Sequence, residues 1–160
     1  MKRNNAFFDE EMILFVTTEE KTEALYALAQ QLTSRGYVKP SYSEGILTRE
    51  HVYPTGLFTG GINVAVPHTD CRHVIKDGIA VGILSKPILF QAMDEPTQEI
   101  PVRIIVMLAL KEPHGQLAML QAVISMIQDQ ETLKKLLNIH SQQEAYEILQ
   151  AFLVKGVYNK

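Results

Sequence analysis

The chain has 160 residues, 46% of them hydrophobic and 21% charged, enough apolar material for one domain with a sizeable core and no more. Its formal net charge is −3 and its basic residues form no run, which excludes a general nucleic-acid footprint. A single cysteine, Cys71, excludes an intrachain disulfide and favours a reducing compartment.

Met1-Lys2-Arg3-Asn4-Asn5 starts with charge, but no long apolar segment follows. Residues 12–16 are an apolar run and read as the first strand. Thr17 and Glu20 have the spacing of a capping box, which starts a helix with Leu25, Leu28, Ala29 and Leu32 on one face. Gly36 is a natural stop. Ser41 and Glu44 make a second capping box, predicting a helix to about His51 with Arg49 in its last turn. There a cation suits the helix dipole, and a dipole contact or surface ion pair accounts for Arg49 on the residues alone. Pro54-Thr55-Gly56 breaks the helix.

Ile62, Val64 and Val66 alternate with Asn63 and Ala65, which is strand periodicity. Pro67 has no N–H for a ladder and ends the strand, so His68 stands where the chain leaves the sheet. The proline also stiffens the approach to the imidazole. On spacing alone, His68 is either an ordinary loop histidine or a nucleophile on a rigid base. Residues 78–84 read as a mostly apolar strand and residues 87–90 as a short edge piece with Ile88 and Phe90 inward. Asp94-Glu95-Pro96 reads as a loop. Residues 102–110 are nearly all apolar apart from Arg103, as in a central strand covered on both faces. Residues 104–110 are the longest apolar run and far too short to span a bilayer.

Glu112-Pro113 opens a helix with Pro113 at its first position. Leu117, Leu120, Ile124 and Ile127 form its inner stripe, widened by Val123 and Met126. Asp129 caps a short helix carrying Leu133, Leu136 and Leu137. Ser141 and Glu144 form a third capping box before Ala145, Ile148, Leu149, Phe152 and Leu153. No repeat or linker interrupts the chain, so a single domain over residues 1–160 is expected. Strands interleaved with amphipathic helices predict an α/β sandwich.

The stretch Gly61-Ile62-Asn63-Val64-Ala65-Val66-Pro67-His68 resembles the active-site signature of phosphotransferase-system enzyme IIA domains of the fructose–mannitol type. Thr48-Arg49-Glu50 followed by Pro54-Thr55-Gly56 is similar to that family's Arg-Glu…Thr-Gly segment, with wording closest to the galactitol-like members. Leu110-Lys111-Glu112-Pro113-His114 matches the place where many members carry a second histidine. One departure is Thr69, where the family usually has a very small residue.

The resemblance implies a mixed, roughly five-stranded sheet flanked by helices on both faces. It implies a cytoplasmic phosphocarrier of a bacterial phosphoenolpyruvate-dependent sugar phosphotransferase system. His68 would be the phosphorylated nucleophile, with Arg49 and His114 beside it and Thr55 and Glu50 in support. The donor would be the phosphohistidine of the small carrier HPr. The acceptor would be a cysteine of an enzyme IIB domain, with the membrane enzyme IIC served indirectly and galactitol-like substrates the nearest subgroup. No cofactor and no membrane insertion are implied. A second reading stays open, in which the same phosphohistidine is a signal controlling binding to another protein.

The chemistry is consistent with either reading. A neutral imidazole is available near pH 7 and can form a covalent intermediate. A guanidinium offers a planar fork for phosphate oxygens, and a helix N-terminus offers N–H donors. His68, Asp70, Cys71 and His73 are metal-ligand types within six residues but lack a paired Cys-x-x-Cys element, so no metal is expected. A thiol enzyme built on Cys71 has no third, orienting group. No Walker or Gly-x-Gly-x-x-Gly loop supports nucleotide-dependent kinase chemistry. His51, His73 and His140 read as surface or supporting residues.

Overall fold

The structure is a computed structural model that describes residues 7–112 and 117–154. After a 3₁₀ turn at Glu10–Met12 come β1 (Ile13–Val16), α1 (Lys21–Ser34), α2 (Tyr42–Val52), β2 (Gly56–Leu57) and β3 (Asn63–Ala65). A second 3₁₀ turn, Cys71–His73, precedes β4 (Gly78–Gln91), β5 (Glu99–Ala109), α3 (Leu117–Gln128), α4 (Gln130–Leu137) and α5 (Gln142–Leu153). The five strands form one mixed sheet in the order β1-β4-β5-β3-β2. β1 runs parallel to β4 and β3 parallel to β5, whereas the β4–β5 and β2–β3 pairs are antiparallel.

Consecutive burial from Ile104 to Ala109 and from Gly78 to Leu84 requires cover on both faces of the sheet. Helix α1 packs on β4 and on α2, while α3, α4 and α5 pack among themselves, with α4 reaching β4 and α5 reaching β1. Leu25, Leu28, Ala29 and Leu32 are all buried, so the predicted face of α1 is the observed one. The helix ends in a Schellman arrangement. Gly36 takes φ +85°, its N–H donates to Thr33 O, and the Tyr37 N–H donates to Leu32 O.

Several local expectations are corrected. Thr17 does not cap α1. The Thr18 hydroxyl accepts from the Glu20 amide and donates to Glu23, and the helix begins at Lys21. Ser41 precedes α2 without capping it, because its hydroxyl lies 2.7 Å from His73 Nδ1 instead. The edge piece at residues 87–90 is the far half of β4. The ladder shifts register between Ile83 and Ile88, and that irregularity accommodates Pro87. Ile88 and Phe90 are buried as expected. In β3 the polar partner of the alternation is not outside: Asn63 is buried, accepting from Thr59 N and donating to Pro101 O. On α3 the buried positions are Met119, Ala122, Val123, Met126 and Ile127. Leu117 and Ile124, predicted inside, are 69% and 53% exposed. The start of that helix at Pro113 lies outside the described residues. Asp129 caps α4 through Thr132 N, and Ser141 caps α5 through Glu144 N, as the spacing predicted.

Gly56 is where the sheet leaves no room. A Cβ there would stand 2.8 Å from Gln91 O and 3.2 Å from both Ile100 Cδ1 and Phe90 Cβ. Gly56→Ala is expected to lower unfolding stability by about 1–3 kcal/mol. Urea unfolding followed by circular dichroism checks this, and a midpoint equal to wild type would contradict the packing described.

Candidate functional site

His68 is the third residue after β3, and the backbone leading to it is tied down on both sides of the sheet. Val66 N–H donates to Thr55 O at 3.2 Å, and Leu108 N–H donates to Pro67 O at 2.9 Å. The sheet is thus extended past the last residue of β3 toward β2 on one side and β5 on the other. Leu108 is held in turn by the buried Tyr42, whose hydroxyl donates to its carbonyl at 2.6 Å. The imidazole Nδ1 lies 3.1 Å from Val66 O. A carbonyl oxygen only accepts, so Nδ1 carries a proton, and in the neutral ring Nε2 keeps its lone pair.

His68 lines a cavity of about 550 Å³ together with Arg49, Thr69, Asp70, Cys71 and Glu112 on the polar side. Leu57, Leu110, Leu120 and Ile124 are among the apolar residues opposite. Exposed Ile124, and Phe58 at 70% exposure, leave uncovered apolar surface on this side of α3 and in the loop after β2. Ile124 of α3 is therefore cavity wall, which the helical periodicity alone could not separate from core.

Arg49 comes from the last turn of α2. Its guanidinium carbon stands 4.9 Å from the centre of the Tyr53 ring, and its Nε is buried without a hydrogen-bond partner among the described residues. A buried guanidinium nitrogen in that state favours an incoming anion. Arg49, Thr69 and Asp70 also line a second cavity of about 420 Å³ on the side of Ser41 and His73. The Thr69 hydroxyl reaches α2 at Gly45, where an added Cβ would stand 3.0 Å from it and 3.1 Å from the His73 ring. The larger residue after the histidine is thus seated where the helix carries a glycine.

Next to Arg49, Glu50 turns inward and is 3% exposed. Thr55 donates to it twice, from N–H to Oε2 at 2.9 Å and from its hydroxyl to Oε1 at 2.8 Å. Burial pushes the Glu50 carboxyl above its ordinary value, opposed by the two Thr55 bonds and the Lys21 charge. Asp70 is shifted the other way. The Arg72 amide donates to it, and the charges of Arg72, His73 and Arg49 also lower its pKa.

Of the residues singled out in the sequence, His68 and Arg49 share one cavity, and Glu50 and Thr55 brace each other beneath it. His114 lies outside the described residues. Sequence reading gave no role to Gln130, which binds the glycine turn before β3. Its Oε1 accepts from Ile62 N at 2.8 Å, and its Nε2 donates to Thr59 Oγ1 at 3.1 Å. No local signal could reveal a partner 68 residues away. Asp70 was legible only as a ligand type, although Asp followed by a backbone donor two residues on is an Asx turn. Among the described residues, no three His, Cys, Asp or Glu side chains are grouped to hold a metal ion. No described helix is long and apolar enough to cross a membrane.

Residues 6–152 match the family model for the phosphoenolpyruvate-dependent sugar phosphotransferase system, EIIA 2. The mannitol-specific phosphotransferase enzyme IIA component of Halalkalibacterium halodurans is 30% identical over 132 residues, covering 81% of this chain and 83% of that protein. The galactitol-specific EIIA component of Escherichia coli K12 is 21% identical over 120 residues, or 75% of this chain and 79% of that protein. Among solved structures, the complex of mannitol enzyme IIA with phosphorylated mannitol enzyme IIB from Escherichia coli gives a TM-score of 0.74 at 23% identity, covering 90% of this chain and 97% of that one. The crystal structure of mannitol enzyme IIA from the same organism gives 0.73 at 23% identity, covering 89% and 98%. These two likenesses establish the fold, including the five-stranded mixed sheet.

The Glu50 environment predicts a pH signature. With its pKa raised above 4.5 on folding, Glu50 binds more protons folded than unfolded in the interval between the two values. Its contribution is therefore favourable below the ordinary value and is lost as pH rises through that interval. Glu50→Gln cannot titrate. Urea unfolding of both proteins from about pH 4 to about pH 7 should show wild-type stability falling relative to the variant. A pH-independent difference would contradict the assignment.

Proposed function

The chain belongs to the EIIA 2 family of the phosphoenolpyruvate-dependent sugar phosphotransferase system, whose components are phosphotransferases, and on that premise we propose that it carries a phosphoryl group on His68 Nε2. The observation that supports this most directly is the bond from Nδ1–H to the Val66 carbonyl, which selects the tautomer with a free Nε2 lone pair. In the proposed step that lone pair forms the new bond to phosphorus as the donor's bond to phosphorus breaks. The Nδ1 proton stays in place. Phosphoryl transfer asks mainly for alignment and for positive charge on the equatorial oxygens. The ties at Val66 and Pro67 suit the first need, and Arg49 suits the second.

In this reading the donor is the phosphohistidine of HPr and the acceptor is a cysteine of an enzyme IIB domain, with the membrane enzyme IIC served at one remove. The acceptor finds support in the solved pairing of a like-folded enzyme IIA with phosphorylated enzyme IIB. Exposed Phe58, Leu117 and Ile124 suit a protein partner, which must approach His68 closely enough for direct transfer. Relatives named as specific for galactitol and for mannitol support polyol uptake as the service performed, and the Arg49-Glu50…Pro54-Thr55-Gly56 wording favours the galactitol-like branch. His114 is proposed, by family resemblance, as a hydrogen-bond donor to the bound phosphoryl group.

The test is labelling with phosphoenolpyruvate, its kinase and HPr, mapped under alkaline conditions that preserve phosphohistidine. His68→Ala should take up no label, and full labelling of that variant would overturn the proposal. Arg49→Lys keeps charge but loses the fork, so its transfer to a IIB domain should be slowed. Arg49→Ala should be slowed further, by about tenfold to a hundredfold if a charged hydrogen bond of about 1.5–3 kcal/mol is lost. Wild-type rates in both would leave Arg49 without a role in transfer.

His114 gives a separate expectation. His114→Gln retains a donor and should lose less rate than His114→Ala, both remaining labelled at His68. Equal, wild-type rates in rapid-quench measurements would remove His114 from the reaction.

A further inference from the structure

A series of three hydrogen bonds, linked through the backbones of Thr55 and Val66, runs from the buried Glu50 carboxylate to the His68 ring. Thr55 N–H donates to Glu50 Oε2 at 2.9 Å, Val66 N–H donates to Thr55 O at 3.2 Å, and His68 Nδ1–H donates to Val66 O at 3.1 Å. We propose that Glu50 is a positioning residue for His68, acting through the Thr55 and Val66 backbones to keep the proton on Nδ1 and to favour positive charge on the ring. The inference rests on the reading of His68 as the phosphoryl carrier and adds what tunes that carrier.

The argument is geometric first. A carboxylate is acceptor-only, and both Glu50 oxygens are taken by Thr55 donors. Two bonds to one residue fix Thr55, whose carbonyl then fixes the height of Val66 N–H. Val66 in turn presents its carbonyl to the imidazole. The connection crosses the α-carbons of Thr55 and Val66, so it works by placement and by aligned dipoles rather than by conjugation. Every bond in the series points its donor toward the Glu50 end, so the negative charge there favours a cation at the His68 end.

That polarity matters in the reaction. When Nε2 bonds phosphorus and the donor's bond breaks, no proton leaves Nδ1, and the ring becomes a phosphorylated imidazolium. Its Nδ1–H faces the Val66 carbonyl throughout. A fixed acceptor at Nδ1 stabilises the carrier state without touching the phosphoryl oxygens, which are left to groups such as Arg49.

Glu50 is buried and lines no part of the His68 cavity, so its influence must travel through the backbone or through its field. Other groups act on the same equilibrium. Among the described residues, Arg49 from α2, Asp70 and Cys71 from the loop after His68, and Glu112 after β5 line the cavity with the imidazole. Lys21 of α1 acts on Glu50 itself. None of these is altered by the substitutions that test the proposal.

The experiment is nitrogen-15 NMR of the histidine rings in unphosphorylated protein, titrated through the imidazole range. Wild-type His68 should be in the Nδ1–H tautomer when neutral. Glu50→Gln can still accept from Thr55 N–H while donating to its hydroxyl, so shape is retained and charge is lost. Its His68 should keep that tautomer, with the imidazolium equilibrium shifted about two- to fivefold toward the neutral ring. Glu50→Ala removes the brace and should also bring in the Nε2–H tautomer. A folded Glu50→Gln whose His68 titrates as wild type, or a folded Glu50→Ala with an unchanged tautomer, would overturn the proposal. If neither variant folds, the wild-type Thr55 amide proton decides. It should shift with the same midpoint as His68, and a silent Thr55 amide would overturn the link. These measurements involve no phosphoryl group. Full labelling of His68→Ala would therefore sink the carrier reading while the titration still judged the link from Glu50.

Discussion

The placement of one imidazole depends on a sheet that goes on pairing after its strand has formally ended. Pro67 cannot donate to a ladder, yet its carbonyl accepts from Leu108, and Val66 donates across to Thr55. Those two bonds place the turn between β2 and β5 as firmly as residues within β3. Most else near the site follows from them. Gly56 is glycine because the hairpin end of β4 and β5 closes over it. Glu50 is buried because the segment leading into β2 must be fastened to α2, and a carboxylate taking two bonds from Thr55 does so at the cost of its own desolvation.

The fold was legible where periodicity has a single reading. Long apolar runs such as 78–84 and 104–110 state that a strand is covered twice, and Leu25, Leu28, Ala29 and Leu32 permit only one face of α1. It was less legible where a local signal has a distant competitor. The Ser41 spacing to Glu44 is that of a capping box, but the hydroxyl meets His73, 32 residues along the chain. Helix α3 has apolar residues almost all round, so its pattern could not say which way it faces. The stripe chosen from sequence was turned by about one residue, and Leu117 and Ile124 stand outside it.

The candidate site divides in the same way. His68 and Arg49 were legible because a proline turn and a helix end are local events, and the resemblance named both. The reason that Glu50 and Thr55 belong with them is not local. It lies in bonds from Thr55 to Val66 and from Val66 to His68, which cross from one strand to another. The same holds for Gln130, which reaches from α4 to the glycine turn before β3. A side chain whose bonding partners are backbone atoms far along the chain leaves no pattern in its own neighbourhood.

The acids at the mouth of the cavity bear on what kind of holding place it is. Asp70 and Glu112 line it with Arg49, and Asp70 is kept ionised by the Arg72 amide. Among the described residues, a dianion arriving there meets one guanidinium and two carboxylates, so attraction at short range is set against repulsion around it. The described lining is therefore of mixed charge rather than uniformly basic. On the proposed function, a phosphoryl group there would be held by its covalent bond to His68 rather than by a deep electrostatic well.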